Sequence, residues 1–170
     1  MSLEAIAFGL ATEDDAGALA LLRTLVAQQL TTKYGSGHWS AEVSPNAVLR
    51  TLITSRIAVA RLGSRLVGTL RLATRKPWAI DPAYFTPVKR ALYLTDMAVH
   101  PDLQGQGLGR RLLGTAADLA RTWPGNAIRL DAYAGPAGAG GFYSRCAYRA
   151  CGHVEYRGTA LMYFEQLIEA

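Results

Sequence analysis

The sequence predicts one mixed α/β domain. Its centre is a twisted, mostly antiparallel sheet of about six or seven strands, flanked by about four helices. Three observations lead there. Along the chain the apolar residues switch between strand and helix periods, in the order β-α-α-β-β-β-α-β-α-β-β. Two strand patterns meet at Gly63-Ser64, a hairpin signal, and residues 91–99 (ALYLTDMAV) form a mostly apolar run suited to a central strand. The 170 residues are half apolar, with no internal repeat or linker, which suits a single core over 1–170.

Ile6–Leu10 reads as a short strand. Thr12-Glu13-Asp14-Asp15 reads as a capping box with an acidic first turn, and Leu19, Leu22, Leu25, Val26 and Leu30 form a helical stripe beyond it. Residues 31–44 (TTKYGSGHWSAEVS) read as a loop. Ser44-Pro45, an N-cap with proline at the first helical position, opens a helix to about Thr54. Ile57–Leu62 and Leu66–Thr74 are the hairpin strands, and three prolines among aromatics and charges make 75–90 (RKPWAIDPAYFTPVKR) a long loop. From Leu108, the spacing of Leu108, Leu112, Leu113, Ala116 and Leu119/Ala120 is helical and leaves Arg110, Arg111, Asp118 and Arg121 outward; Pro124-Gly125 ends the pattern. Ala127–Tyr133 is a strand, AGPAGAGG a flexible turn and Gly141–Tyr148 a short helix. Arg149–Tyr156 and Ala160–Gln166 are the closing strands.

Composition narrows the functional classes. No apolar run approaches the length of a membrane span, and MSLEAIAFGLATEDD, with Glu4 and no basic segment, is a poor secretory signal. Cys146 and Cys151 make neither a disulfide framework nor a CxxC motif, and His38, His100 and His153 are scattered without a zinc signature. The expectation is a cytoplasmic protein without a metal. A net charge of +5 suits an anionic ligand and a merely solubilising surface equally.

The densest signal is PDLQGQGLGRRLLGTAADLAR at 101–121, where Gly105, Gly107 and Gly109 stand at the start of a helix. Glycine lets ligand atoms approach backbone N–H groups, and the first N–H groups of a helix lack internal partners. Together with the helix dipole they make an anion site. A Walker A loop is excluded because no lysine follows the glycines. A dinucleotide fingerprint fits poorly: Arg110 replaces its final glycine and His100–Leu103 separate Val99 from Gln104, although Asp131 lies where a ribose-binding acid would. Gln104-Gly105-Gln106-Gly107-Leu108-Gly109, after Val99-His100-Pro101, matches Q/R-x-x-G-x-G/A following a strand. This segment resembles the acetyl-CoA-binding motif of the Gcn5-related N-acetyltransferase (GNAT) superfamily. Downstream, Leu130-Asp131-Ala132, Ala139, Phe142-Tyr143 and Tyr148 are similar to that superfamily's L-x-V…N-x-x-A-x-x-F-Y…G-F/Y pattern. Pro136 stands in place of its asparagine and Ala147 in place of its glycine.

The resemblance implies a GNAT-like fold over the whole chain, with acetyl-CoA as cosubstrate and no metal. The cosubstrate would be held by Met97, Ala98 and Val99, by the amides of Gln104, Gly105, Gln106, Gly107, Leu108, Gly109 and Arg110, and by Ala139, Phe142 and Tyr143. Arg110, Arg111 or Arg145 could meet the nucleotide phosphates. It also implies direct acetyl transfer to a primary amine. The amine must shed a proton, the developing oxyanion needs a donor from the 97–99 strand, and the departing thiolate needs a proton. Tyr143 occupies the position for that last role. Asp96, the only acid on its strand, is a candidate base or else a brace; His38, His100, His153, Glu155 and a water chain are further candidates. Trp39, Trp78, Tyr84 and Phe85 either wall an acceptor pocket or cap the core. The expected partner is a small-molecule or protein amine rather than nucleic acid, with no membrane, and a homodimer is left open. A non-catalytic acyl-CoA sensor stays open as an alternative. So does a nucleic-acid binder, suggested by the charge and the 75–90 loop.

Overall fold

A computed structural model describes residues 5–169. The strands are β1 (Ile6–Leu10), β2 (Ser55–Leu62), β3 (Arg65–Ala73), β4 (Ala91–Val99), β5 (Ala127–Tyr133), β6 (Arg149–Tyr156) and β7 (Thr159–Leu167). The α-helices are α1 (Ala16–Tyr34), α2 (Pro45–Leu52), α3 (Leu108–Thr122) and α4 (Gly140–Arg145). The seven strands form one sheet in the order β1-β2-β3-β4-β5-β7-β6. β4 and β5 run parallel, while β1/β2, β5/β7 and β6/β7 are antiparallel. The mixed, mostly antiparallel sheet and its helices are those the sequence predicts. Contacts within the chain group into two compact units: residues up to Leu72 with Thr95–Ala116, and Ala73–Leu94 with the residues from Ala117 onward.

In the first unit, α1 and α2 bury Leu19, Ala20 and Val48 against Ile57, Val59 and Leu66 of the β2–β3 hairpin. The hairpin turns at Gly63, whose φ of +59° suits glycine. Before α1, the Asp15 carboxylate accepts from the Thr12 N–H at 2.9 Å, as a capping box requires, and also takes two hydrogen bonds from Arg61 at 2.8 and 2.9 Å. α1 runs on to Tyr34, so the loop predicted from Thr31 is shorter than expected. Thr31 Oγ1 donates back to the Ala27 carbonyl, and the true stop is Gly35 (φ +81°), whose N–H closes on Thr31 O at 2.9 Å. Ser44 caps α2 as predicted, its hydroxyl accepting from the Ala47 N–H at 3.2 Å. The first turns of α3 lie on β3 at Gly68, where a Cβ would stand 2.8 Å from Leu112 Cδ1.

In the second unit, Ile80, Phe85, Tyr93 and Tyr163 form a core cluster beneath the 75–90 loop. Glu165, fully buried on β7, anchors that loop. It accepts from Arg129 at 3.1 Å, from Arg149 at 3.1 Å and from the Thr86 N–H at 3.2 Å. Burial alone would raise its carboxyl, but these donors together hold it below the ordinary range. The β6–β7 hairpin turns through Arg157 and Gly158, both at positive φ, the pattern of a type I′ turn. α4 ends at Arg145, before the predicted Tyr148, because Ala147 takes a left-handed φ of +64°.

Candidate active site

Near its end, β4 carries an irregularity that its sequence does not announce. Asp96 sits inside the strand at φ +55°. A left-handed non-glycine residue costs about 1–2 kcal/mol, so something must hold it. Arg23 Nη2 of α1 and Arg71 Nε of β3 each donate to one carboxylate oxygen at 2.7 Å. Sheltered hydrogen bonds to charged groups contribute about 1.5–3 kcal/mol each, enough to offset the strain. The pleat is broken there, as at a bulge, so strand alternation no longer fixes which side each neighbour faces. Beside it, the Thr95 hydroxyl is buried without a hydrogen-bond partner among the described residues, and Ala98 is buried.

After β4, the His100 N–H donates to Val67 O at 2.8 Å, and a short 3₁₀ turn over Pro101–Leu103 leads into the glycine segment. The Gln104 amide donates to Val99 O and to Gln29 Oε1, both at 2.9 Å, and the Gln106 amide donates to Asp102 O at 2.8 Å. These side chains are spent on shaping the loop. Gly105 and Gly107 adopt φ of +72° and +91°, and a Cβ on either would meet no protein atom within 4 Å. Conformation, rather than packing, demands glycine here. Arg111 N–H makes the first helical bond, to Gly107 O at 3.2 Å. The amides of Leu108 and Gly109 therefore stand ahead of that bond, in the first turn of α3. Arg111 also lies over the Phe8 ring, 4.8 Å from its centre.

In the second unit, α4 carries Phe142 and Tyr143. The Tyr143 ring is buried among Phe142, Tyr148 and Phe164, with centroids 5.2 to 5.8 Å away. Burial, together with the nearby Asp131 and Cys146, drives its phenol well above the ordinary tyrosine range, so it holds its proton at every physiological pH. Tyr148 is shifted the same way, first by burial, and its hydroxyl is buried without a hydrogen-bond partner among the described residues. Asp131, in the middle of β5, pairs across the ladder with Tyr163. Burial raises its carboxyl above the ordinary range, opposed only by a hydrogen bond from its own backbone.

Comparison with known proteins meets this geometry. Residues 26–148 match the acetyltransferase (GNAT) family. The chain belongs to the GNAT acetyltransferase family. GNAT proteins are acyltransferases, so the chain is an enzyme of that class. Solved structures share the fold at low identity. The protein yncA of Salmonella typhimurium, in a structure with its cofactor acetyl-CoA, has a TM-score of 0.72 and 17% identity, covering 97% of this chain and 95% of that one. Ribosomal-protein-alanine N-acetyltransferase of Brucella melitensis has a TM-score of 0.72 and 18% identity, covering 95% and 99%. The paia N-acetyltransferase of Thermoplasma acidophilum, in complex with coenzyme A, has a TM-score of 0.73 and 14% identity, covering 96% and 98%. No curated protein sequence matches.

Among the GNAT chain's expected site residues, Met97 to Val99 and Gln104 to Arg110 lie in the first unit, and Ala139, Phe142 and Tyr143 in the second. Ala139 caps α4 and accepts the Tyr143 N–H at 3.1 Å. Of the other candidate bases, His100 is held by Arg65, with its Nδ1 accepting from the Asp102 N–H at 3.2 Å. His38, His153 and Glu155 are exposed. Asp131 was visible in the sequence only as a possible ribose ligand. The available signal was a lone acid inside the apolar strand AIRLDAY, which becomes meaningful once its burial is known. Among the described residues, no three His, Cys, Asp or Glu side chains group as a metal site, and no helix is long and apolar enough to cross a membrane.

Proposed function

We propose that the chain forms one N-acetyltransferase domain that moves an acetyl group from acetyl-CoA to a primary amine. The observation that carries this reading is the 104–110 segment. Two left-handed glycines with open space above them lead into the first turn of α3, in a chain of the GNAT family. Those residues fit a pyrophosphate, and the buried, partnerless Thr95 hydroxyl fits a polar ligand group beside β4. Bound acetyl-CoA supplies an activated acyl carbon and a thiol leaving group.

The chain's own residues supply the proton handling. Asp131 is the proton acceptor in this reading. Its raised carboxyl lies nearer the operating pH than an exposed aspartate, which is what a general base needs. Asp96 is assigned a bracing role, because both its oxygens are engaged by Arg23 and Arg71. Tyr143 is assigned the sulfur-facing donor role. With its phenol pushed up, full proton transfer to a thiolate is uphill. Tyr143 therefore acts chiefly by donating a hydrogen bond to the leaving sulfur.

The test is free-thiol release from acetyl-CoA across a panel of amines, with wild type and Tyr143→Phe. Wild type releases thiol only when an acceptor is present. Because a hydrogen bond rather than a full proton is lost, the Phe variant slows single-turnover transfer by about tenfold to a hundredfold. A folded variant with the wild-type rate would make Tyr143 a packing residue. No acceptor-dependent thiol release with any amine would overturn the transferase reading.

A further inference from the structure

The second unit holds a cavity of about 460 Å³ between the 75–90 loop and β6. Trp78, Tyr84, Tyr156 and Tyr163 give it aromatic walls, and Asp81 and Glu155 stand at its lining. The lining contains no lysine or arginine, with His153 its one basic side chain, although the protein carries a net charge of +5. Trp78 is 82% exposed and Tyr84 43%, so neither ring is there to fill the core. Neither Asp81 nor Glu155 has an ion-pair partner among the described residues.

The walls are fixed before any ligand arrives. The Tyr163 hydroxyl accepts from the Asp81 N–H at 3.1 Å and donates to Ala79 O, tying the loop to β7. Phe85 stacks on the Tyr163 ring at 5.3 Å, and Tyr84 meets it edge-on at 5.4 Å. The Asp81 side chain accepts from the Ala83 N–H at 2.9 Å, which holds the carboxylate in place. Nearby cations are already committed: Lys76 Nζ is bound to the carbonyls of Pro77 and Ile80, and Arg157 lies over the Tyr156 ring at 5.2 Å. Trp78, Tyr84 and Asp81 are left to meet a ligand.

Aromatic faces attract cations through their quadrupole, and carboxylates add charge of the same sense. An anionic ligand would be repelled here, and an uncharged one would not need the acids. The ligand nitrogen is therefore positively charged. Such a box favours the protonated form of whatever nitrogen it holds, whereas the nitrogen that attacks an acyl carbon must be neutral. The nitrogen held here is consequently not the one acetylated. We propose that this cavity seats the second, cationic nitrogen of a diamine acceptor, an assignment that rests on the transferase reading above and adds its substrate class. The cavity contributes binding alone, and the covalent transfer is unchanged.

The test is calorimetric titration of the protein with diaminobutane and with butylamine, in the absence of acetyl-CoA, together with acetylation kinetics for both. The diamine is expected to bind about tenfold more tightly than the monoamine, and to show the correspondingly lower KM. Trp78→Leu is expected to weaken diamine binding about two- to fivefold, and Asp81→Asn to weaken it further, with melting temperatures unchanged. Equal affinity for the two amines, or wild-type affinity in both variants, overturns the assignment. Acetylation of monoamines as efficiently as diamines leaves the transferase reading standing and removes this one. Selective diamine binding without any acetyl transfer removes the transferase reading and with it the acceptor role of the diamine, while leaving the cavity a cation site.

Discussion

Asp131 and Glu165 lie on paired strands two rungs apart, yet their surroundings push them in opposite directions. Glu165 is surrounded by donors and held low, whereas Asp131 is desolvated with only its own amide for support and is raised. The sign of the stability effect follows. A carboxyl raised in the folded state is protonated in both states at low pH and adds no penalty there. Once pH climbs past the ordinary carboxyl range, the unfolded chain ionises freely while the folded one resists, and stability is lost. Asp131→Asn should therefore raise the melting temperature at pH 7, with the gain shrinking toward pH 4. The same variant should slow acetyl transfer by about 10²–10⁴-fold. Equal melting temperatures at both pH values would show that the carboxylate is well solvated. Full activity would return the base to another residue.

Among the elements, two left-handed positions give opposite expectations. Gly107→Val places a β-branched residue at φ +91°, a conformation it rarely adopts, at a cost of about 1–3 kcal/mol. If the loop must hold that shape to bind, acetyl-CoA affinity falls about tenfold to a hundredfold. Unchanged affinity in a folded variant would reduce the glycines to a turn. Ala147→Gly works the other way, because alanine now occupies φ +64°. The change should stabilise by about 0.5–1 kcal/mol, read as a rise in denaturation midpoint with an unaltered slope. Element existence was largely legible because period and punctuation are local: Ser44-Pro45, Gly63-Ser64 and the run 91–99 each carry their own signal. The end of α1 was misjudged because Thr31 and Thr32 look like loop residues, while the hydrogen bond to Ala27 that keeps Thr31 helical is visible only in three dimensions. The left-handed Asp96 had no signal of its own, since its arginine partners lie 25 and 73 residues away.

For the molecule as a whole, acetyl-CoA should raise the melting temperature, because a ligand bound only by the native state stabilises by mass action. At a hundredfold excess over its dissociation constant the gain is about 2.7 kcal/mol. For a chain of this size that corresponds to a shift of roughly 5–10 °C by differential scanning calorimetry. A comparable shift from NADH, with none from acetyl-CoA, would reverse the choice between the two glycine-loop readings. The glycine loop stood out in the sequence as a candidate cosubstrate site because its signal lies in consecutive residues. The aromatic cavity was legible only in part, through Trp78 and Tyr84; Asp81 and Tyr163 come from a loop and a strand some 80 residues apart in sequence, joined by one tyrosine hydroxyl. Strand order was equally hidden, as periodicity identifies a strand but not its neighbour.

That order has a consequence for how the chain is made. β7 lies between β5 and β6, although it follows both in sequence. While the polypeptide is being synthesised, β6 emerges with no strand to pair with, and the edge of β5 that β7 will cover stays open. Only when 159–167 appear can the two be joined, and the same nine residues bring Glu165, without which Arg129 is a buried cation lacking its carboxylate. At about 5–20 residues per second, the wait from the end of β5 is on the order of a few seconds. An unpaired strand edge is a template for pairing with other chains. The nascent protein thus passes through a sticky interval whose length is fixed by the placing of one strand, and a ribosome stalled between β6 and β7 would hold it there.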